Sequence, residues 1–177
     1  IHQLMVKLGN PKKVPSAFTY LGTVAFHKEN ESKATVYFEQ ALSLIKALTP
    51  LTDEHKEEIL KLLRFIGVAS YNSRDFQKAA RSYLECLQLL ERHYANNSTK
   101  AGQVAECCAS LGFTYSRLRD FDNMLKYYER ALELENRLAH EDLQLIETNI
   151  GSLYHVKAVK FEQYGEEVQA NRYYHLA

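Results

Sequence analysis

Histidines, cysteines and adjacent carboxylates are the residues of this chain whose chemistry could serve catalysis or metal binding. The seven histidines form no His-Glu-x-x-His motif. The cysteines Cys86, Cys107 and Cys108 form no Cys-x-x-Cys motif, so neither residue type has the spacing of a metal site. Neighbouring glutamates such as Glu57 and Glu58 point to different sides of a helix, which indicates a solvated face and not an acid/base pair. We therefore expect no enzyme activity, no metal and no cofactor in this segment.

The composition sets limits on the class of protein and on its partners. The 177 residues are 46% hydrophobic and 25% charged, enough for one compact domain or a short repeat array. Lys plus Arg and Asp plus Glu both number 22, so the basic excess of a protein that binds nucleic acid or an acidic membrane is missing. No apolar run reaches the length of a membrane span. An odd number of cysteines, two of them adjacent, predicts a reducing, cytoplasmic location.

An internal repeat is the main sequence signal for the elements that position these side chains. Gly22, Gly67, Gly112 and Gly151 each follow Leu or Ile; the first three are 45 residues apart and the last step is 39. After each glycine comes a small residue or Met, an aromatic four residues later and a small residue three after that. These phrases are Ala34-Phe38-Ala41, Ala79-Tyr83-Cys86, Met124-Tyr128-Ala131 and Ala170-Tyr174-Ala177.

Close packing explains why these residue types recur. A glycine lets the first helix of a unit approach a neighbouring helix, where a side chain would hold the two backbones apart. The small residue and the aromatic lie on one face of the second helix, and we expect the aromatic ring to fill the space between adjacent units. Because a lone helix pair cannot bury both faces, the units must stack.

These phrases resemble the tetratricopeptide repeat. The third unit is the most similar, with Leu111, Gly112, Tyr115, Phe121, Tyr128 and Ala131 at the family positions. In the second unit Ser70 stands where the family has a large residue, the fourth unit has an insertion before its second helix, and the family's Trp is absent. The resemblance implies an all-α fold: a right-handed α-solenoid, or superhelix, of antiparallel helix pairs with eight to nine helices. We expect one array over residues 1–177, cut from a longer protein, with the end of a preceding helix at 1–9 and units at about 15–48, 52–95, 99–139 and 141–177.

The repeat is longer than the usual period of about 34 residues. The additional residues fall between the last small position of one unit and the next first helix, and they amount to about three helical turns. We therefore expect a longer second helix and an earlier start for the next first helix. Long repeats of this kind are similar to those of the Pins/LGN scaffolds and the kinesin light chains.

Polar residues at the expected helix starts support these boundaries. Thr52 is a predicted N-cap that follows Pro50, and Asp75 and Asp120 precede the second helices of two units. The segment 96–98, Asn-Asn-Ser, is a further predicted cap before the third unit.

The resemblance also implies the function: a non-catalytic scaffold or adaptor that binds a peptide or helix of another protein in the concave groove lined by the first helices. Counting from each glycine, the groove candidates are Thr23, His27, Arg64, Val68, Tyr71, Phe113, Arg117, Asn149, Ser152 and His155. Within this set we expect Tyr71 and Phe113 to anchor the partner and Arg64 and Arg117 to orient it.

One family binding mode is disfavoured by the residues present. Members that clamp the terminal carboxylate of a peptide carry Asn where this chain has Val68 and Phe113, and Lys where it has Thr19 and Ala109. Two alternatives to groove binding stay open. The chain could be a structural or self-association segment, or a regulatory module of a larger enzyme.

Overall fold

Six α-helices make up most of the chain that the structure, a computed structural model, describes. The described residues are 14–94 and 100–134, with separate positions at 144, 147–148, 150–151, 154–155, 171–172 and 175. No strand occurs among them, so the all-α prediction is confirmed for these residues. The helices are α1 (Val14–His27), α2 (Glu31–Lys46), α3 (Asp53–Asn72), α4 (Phe76–Tyr94), α5 (Ala101–Leu118) and α6 (Phe121–Leu132).

The helices are arranged as successive pairs within two compact units. Residues 1–96 form the first unit and residues 97–177 the second. In the first, α1 packs against α2, α2 against α3 and α3 against α4; in the second, α5 packs against α6. Only residues 28–30, 73–75 and 119–120 separate the members of each pair, and connections this short make the two helices antiparallel.

The predicted total of eight to nine helices is not matched, because the described residues contain six. The additional helices were expected at 1–9 and within 141–177. Residues 1–9 lie outside the described part of the chain, and 141–177 is described only at the separate positions named above. The division of the chain into four units therefore stays a prediction.

Helix length accounts for the long repeat period, as expected. Helix α3 has 20 residues and begins at Asp53, fourteen residues before Gly67. Helix α4 has 19 residues and continues eight residues beyond Cys86 to Tyr94. The extra residues of the repeat thus extend helices at the start of α3 and at the end of α4.

The same turn joins the two helices of each pair, and it recurs every 45 residues. Glu29 (φ 55°), Arg74 (φ 64°) and Arg119 (φ 58°) all adopt the left-handed conformation. After Arg74, the N–H of Asp75 donates to the carbonyl of Ser70 (2.8 Å), while the N–H of Arg74 donates to the carbonyl of Tyr71 (3.0 Å). This pair of bonds is the Schellman motif, which satisfies carbonyls at the end of a helix.

The last residue of each turn also caps the following helix. The side chains of Asn30, Asp75 and Asp120 accept hydrogen bonds from the backbone N–H three residues later, at 3.1, 3.0 and 3.2 Å. The predicted caps Asp75 and Asp120 are therefore confirmed. Thr52 is confirmed too, since its hydroxyl accepts from the N–H of His55 and its N–H donates to His55 Nδ1 (3.2 Å). The cap expected at 96–98 lies outside the described residues.

The first three repeat glycines, Gly22, Gly67 and Gly112, each lie directly beneath the aromatic ring of their own helix pair. A Cβ atom at Gly22 would lie 2.5 Å from Phe38 Cδ1, and one at Gly67 would lie 2.5 Å from Tyr83 Cε1. Gly112 has the same relation to the ring of Tyr128. The rings were expected between adjacent units, but these contacts show that each also covers the glycine of its own pair.

Phe38 makes the predicted contact with the next pair as well. Its ring centroid lies 5.1 Å from that of Phe65 in α3, so one ring covers Gly22 in its own pair and packs against the first helix of the next. The small residues of the repeated phrases are buried alongside: Ala34, Ala41, Ala79, Cys86 and Ala131 are each 0% exposed. Close packing is therefore the role of the phrase.

All three cysteines are buried, and none of them is in a disulfide. Cys107 and Cys108 are 1% and 0% exposed, although the sequence required only one of them to face the core. The thiol of Cys86 lies 3.7 Å from the carbonyl oxygen of Leu60, as a packing residue would.

Two ion pairs connect α2 to α4 across the first unit. Lys46 pairs with Glu85, and Lys78 pairs with Glu39 at 3.1 Å. All four side chains are about a third or more exposed, so water and salt screen both pairs and each contributes at most about 1 kcal/mol. Burial of the apolar phrases, and not these pairs, holds the second helices in place.

Gly67→Ala tests the close approach of glycine and ring. Alanine is favoured over glycine by about 1 kcal/mol in an exposed helix. Here the added methyl overlaps the Tyr83 ring, so the free energy of unfolding should fall by about 1–3 kcal/mol in urea denaturation. Val68→Ala is the control, because this neighbouring side chain is 39% exposed and should change stability by about 0.5 kcal/mol or less. A Gly67→Ala protein as stable as the wild type would contradict the contact.

Arg74→Gly tests the left-handed turn. Glycine adopts this conformation without the steric cost of a Cβ atom, so the variant should be more stable by up to about 1 kcal/mol. Arg81→Gly is the matched control, since Arg81 is exposed within α4 and glycine in a helix interior lowers stability by about 1 kcal/mol. Opposite shifts of the two thermal midpoints are expected, and a loss of stability in both variants would refute the assignment.

Candidate functional site

The predicted groove residues on the first helices differ in exposure. His27, Val68, Arg117 and His155 are exposed, while Thr23, Arg64, Tyr71 and Phe113 are partly buried. Thr19 and Ala109, which stand at the positions of the clamp lysines, are 8% and 3% exposed. Asn149 and Ser152 lie outside the described residues.

The two predicted anchors pack against the second helix of their own pair. The ring of Tyr71 lies edge-on to that of Phe76, with the centroids 5.4 Å apart, and the ring of Phe113 lies edge-on to that of Tyr128 at the same distance. Part of each ring is therefore covered inside the protein, and only the remaining surface can contact a partner. Val68, which the sequence assigned a lesser role, presents a more exposed apolar side chain.

A cleft of about 770 Å³ lies between α1 and α3, the first helices of the two pairs in the unit of residues 1–96. We call it the α1–α3 cleft. Thr23 and Arg64 line it, so the structure brings together two of the predicted residues. Its lining comprises Pro15, Ser16, Thr19, Tyr20 and Thr23 of α1, Ile45 and Leu48 at and just after the end of α2, and Glu54, His55, Glu57, Glu58, Lys61 and Arg64 of α3.

A hydrogen bond between Thr19 and Glu58 joins the two walls of the cleft near its centre. The hydroxyl of Thr19 is within hydrogen-bond distance of Glu58 Oε1 (3.3 Å) and of the Pro15 carbonyl oxygen (3.1 Å). Glu58 also lies 3.8 Å from the ammonium of Lys61. The hydroxyl of Thr23 donates to the Thr19 carbonyl (3.0 Å), so it is bound within its own helix.

Negative charge collects at the start of α3. Lys56 donates a 2.8 Å hydrogen bond to Asp53, and this bond together with the lysine charge lowers the pKa of the Asp53 carboxyl. Partial burial raises the pKa of Tyr94 to about 12, and the neighbouring Glu57 carboxylate adds to the shift. Tyr94 therefore stays protonated at neutral pH, so the Glu57 charge faces a neutral phenol.

The clamp for a terminal carboxylate is disfavoured by this geometry as well as by the sequence. The position of one clamp lysine is occupied by Thr19, whose hydroxyl lies beside the Glu58 carboxylate. A carboxylate at that point would meet a like charge where the clamp supplies a cation.

Sequence reasoning missed the carboxylates and Tyr20 as cleft residues. Glu54, Glu57 and Glu58 precede the family phrase, in turns that the long repeat adds to α3, so counting from the glycine does not reach them. The run from Asp53 to Glu58 was interpreted only as a helix start and a solvated face. Residues 54, 57, 61 and 64 follow one another at spacings of three, four and three, which places them along one face of the helix and is the signal that could have identified the carboxylates.

The described residues hold neither a metal-binding cluster nor a membrane-spanning helix. They contain no group of three or more His, Cys, Asp or Glu side chains placed to hold a metal ion. None of the described helices is both long and apolar enough to cross a bilayer.

Comparison with known proteins places one segment of the chain in a family. Residues 105–137, which include most of α5 and all of α6, match the model of the tetratricopeptide repeat. No curated protein matches the chain in sequence. The narrower similarity to Pins/LGN scaffolds and kinesin light chains stays a prediction.

Solved structures share the helix-pair fold. BtubC (BKLC) from P. vanneervenii superposes with a TM-score of 0.64 at 19% sequence identity, over 92% of this chain and 61% of that one. The chain thus spans about three fifths of BtubC. The N-terminal domain of stress-induced protein-1 from C. elegans superposes with a TM-score of 0.59 at 12% identity, over 78% of this chain and 95% of that domain.

These identities are low enough that the superpositions establish the fold alone. The family match adds sequence evidence over one repeat, and the recurring turns and glycine–ring contacts extend the same construction to the two preceding pairs. Residues 105–137 thus match a tetratricopeptide repeat, and the chain shares its helix-pair fold with these two solved structures.

Proposed function

We propose that the chain is a non-catalytic scaffold or adaptor, located in the cytoplasm, that binds a segment of another protein along its first helices. Tetratricopeptide repeats generally mediate protein–protein interaction, and stacked helix pairs of this type present extended binding surfaces. The right-handed solenoid arrangement of successive pairs is part of the proposal. The observation that carries it is the α1–α3 cleft, which is built from two first helices and contains Thr23 and Arg64.

The size and lining of this cleft fit a peptide segment. Its volume of about 770 Å³ is within the usual range for a site that encloses a small ligand, and hydroxyl, apolar and charged side chains all line it. A segment that continued along α3 would contact Val68 and the exposed part of Tyr71. Arg64 and Arg117 would orient it, because a guanidinium binds carboxylates and backbone carbonyls through several fixed donors.

Charge reversal of the two arginines tests the proposal. In the Arg64→Glu/Arg117→Glu variant, co-purification of groove-bound proteins should fall about tenfold or more, because a glutamate is repelled by the carboxylates and carbonyls that the arginines would bind. Co-purified proteins would be quantified against those of the wild-type chain.

Arg81→Glu provides the matched control. It makes the same charge change on an exposed residue of α4, a second helix, and should retain the partners. Unchanged recovery of every partner by the double variant would rule out binding along the first helices. Light scattering of the same samples would reveal whether the chain instead associates with itself.

A further inference from the structure

The α1–α3 cleft is strongly asymmetric in charge. The α1 wall, formed by Pro15, Ser16, Thr19, Tyr20 and Thr23, carries no charged side chain, whereas the α3 wall carries five. Along α3 the acidic residues come first, at 54, 57 and 58, and the basic residues follow at 61 and 64. At 1.5 Å per residue, the wall changes from acidic to basic over about 15 Å.

The three carboxylates of the acidic end differ in the groups of the protein that lie beside their charge. Glu58 is beside the Thr19 hydroxyl and the Lys61 ammonium, and Glu57 neighbours Tyr94. Glu54 is exposed and has no ion-pair partner within the described ranges 14–94 and 100–134. It is therefore the carboxylate whose charge is available to a bound molecule.

An aromatic ring lines the same cleft from the opposite wall. Tyr20 is 69% exposed, the most exposed large apolar side chain among the described residues. A carboxylate together with an accessible ring binds Lys or Arg side chains well, since the ring face attracts a cation and also covers its aliphatic stem.

We propose that the acidic end of the α1–α3 cleft binds a Lys or Arg side chain of the partner protein, held by Glu54 against the ring of Tyr20. The inference rests on the proposed function and specifies its partner: a peptide segment with a basic residue, oriented so that this residue lies at the start of α3. Lys61 and Arg64 face the rest of the segment. Nucleic acid and anionic lipid surfaces are excluded as occupants of this end, because both would bring negative charge to the carboxylates.

A pair of synthetic peptides tests the preference for a basic side chain directly. Two blocked nine-residue peptides that differ at a single position, Lys in one and Glu in the other, would be titrated into the ¹⁵N-labelled chain. The Lys peptide should shift the amide resonances of Tyr20, Thr23, Glu54 and His55 and bind about tenfold more tightly than the Glu peptide. Its affinity should fall as salt is raised, since the contact is partly exposed.

Variants of Glu54 assign the preference to one residue. Glu54→Lys should remove or reverse the preference for the Lys peptide, and Glu54→Gln, which alters the helix less, should reduce it by about two- to fivefold. Glu129→Lys, the same charge change on an exposed residue of α6, should leave it unchanged. The dispersion of the amide spectrum reports whether each variant is folded.

The outcomes separate this inference from the proposed function. Equal binding of both peptides with shifts at the cleft residues would overturn the preference for a basic side chain and leave cleft binding intact. A preference that survives Glu54→Lys would overturn the role of Glu54. If neither peptide shifts any cleft resonance, the cleft is not a peptide site and the proposed function fails for this unit.

Discussion

The fold depends on the contact between a glycine of each first helix and an aromatic ring of the second. Helix packing distance is set by the side chains at the crossing point, and the absence of a Cβ atom at Gly22, Gly67 and Gly112 lets the ring lie against the backbone itself. The ring then needs small neighbours, which are supplied by the buried Ala and Cys residues of the same phrase. A side chain at the glycine position would separate the two helices, so the glycine and the ring recur together.

A second constraint acts on the connection between the helices of a pair. One residue in the left-handed conformation ends the first helix, and the residue after it both completes the Schellman motif and caps the second helix. This double use leaves little freedom in the angle between the helices. The ring contact and the turn therefore specify the same antiparallel geometry. For this reason the helix pair recurs although the residues at its other positions differ.

The long repeat separates the residues that build the fold from those that give the cleft its chemistry. Glycine, ring and turn all lie within the shorter family pattern, while Glu54, Glu57 and Glu58 lie in the added turns at the start of α3. Lengthening the helix places carboxylates beside α1 without altering the packing phrase. The additional turns thus change what the cleft can bind and leave the manner of helix pairing unchanged.

The sequence by itself determined the helices, their repeat and the caps at Thr52, Asp75 and Asp120, because periodic burial and capping are local interactions between residues a few positions apart. The tertiary structure decided which surfaces are free. It buries Thr19 and Ala109, covers part of Tyr71 and Phe113 with rings of their own pairs, and brings Glu58 beside Thr19 across 39 residues of chain. These contacts join different helices, and the distance at which two helices pack depends on many side chains at once. The spacing of residues along the sequence does not specify that distance.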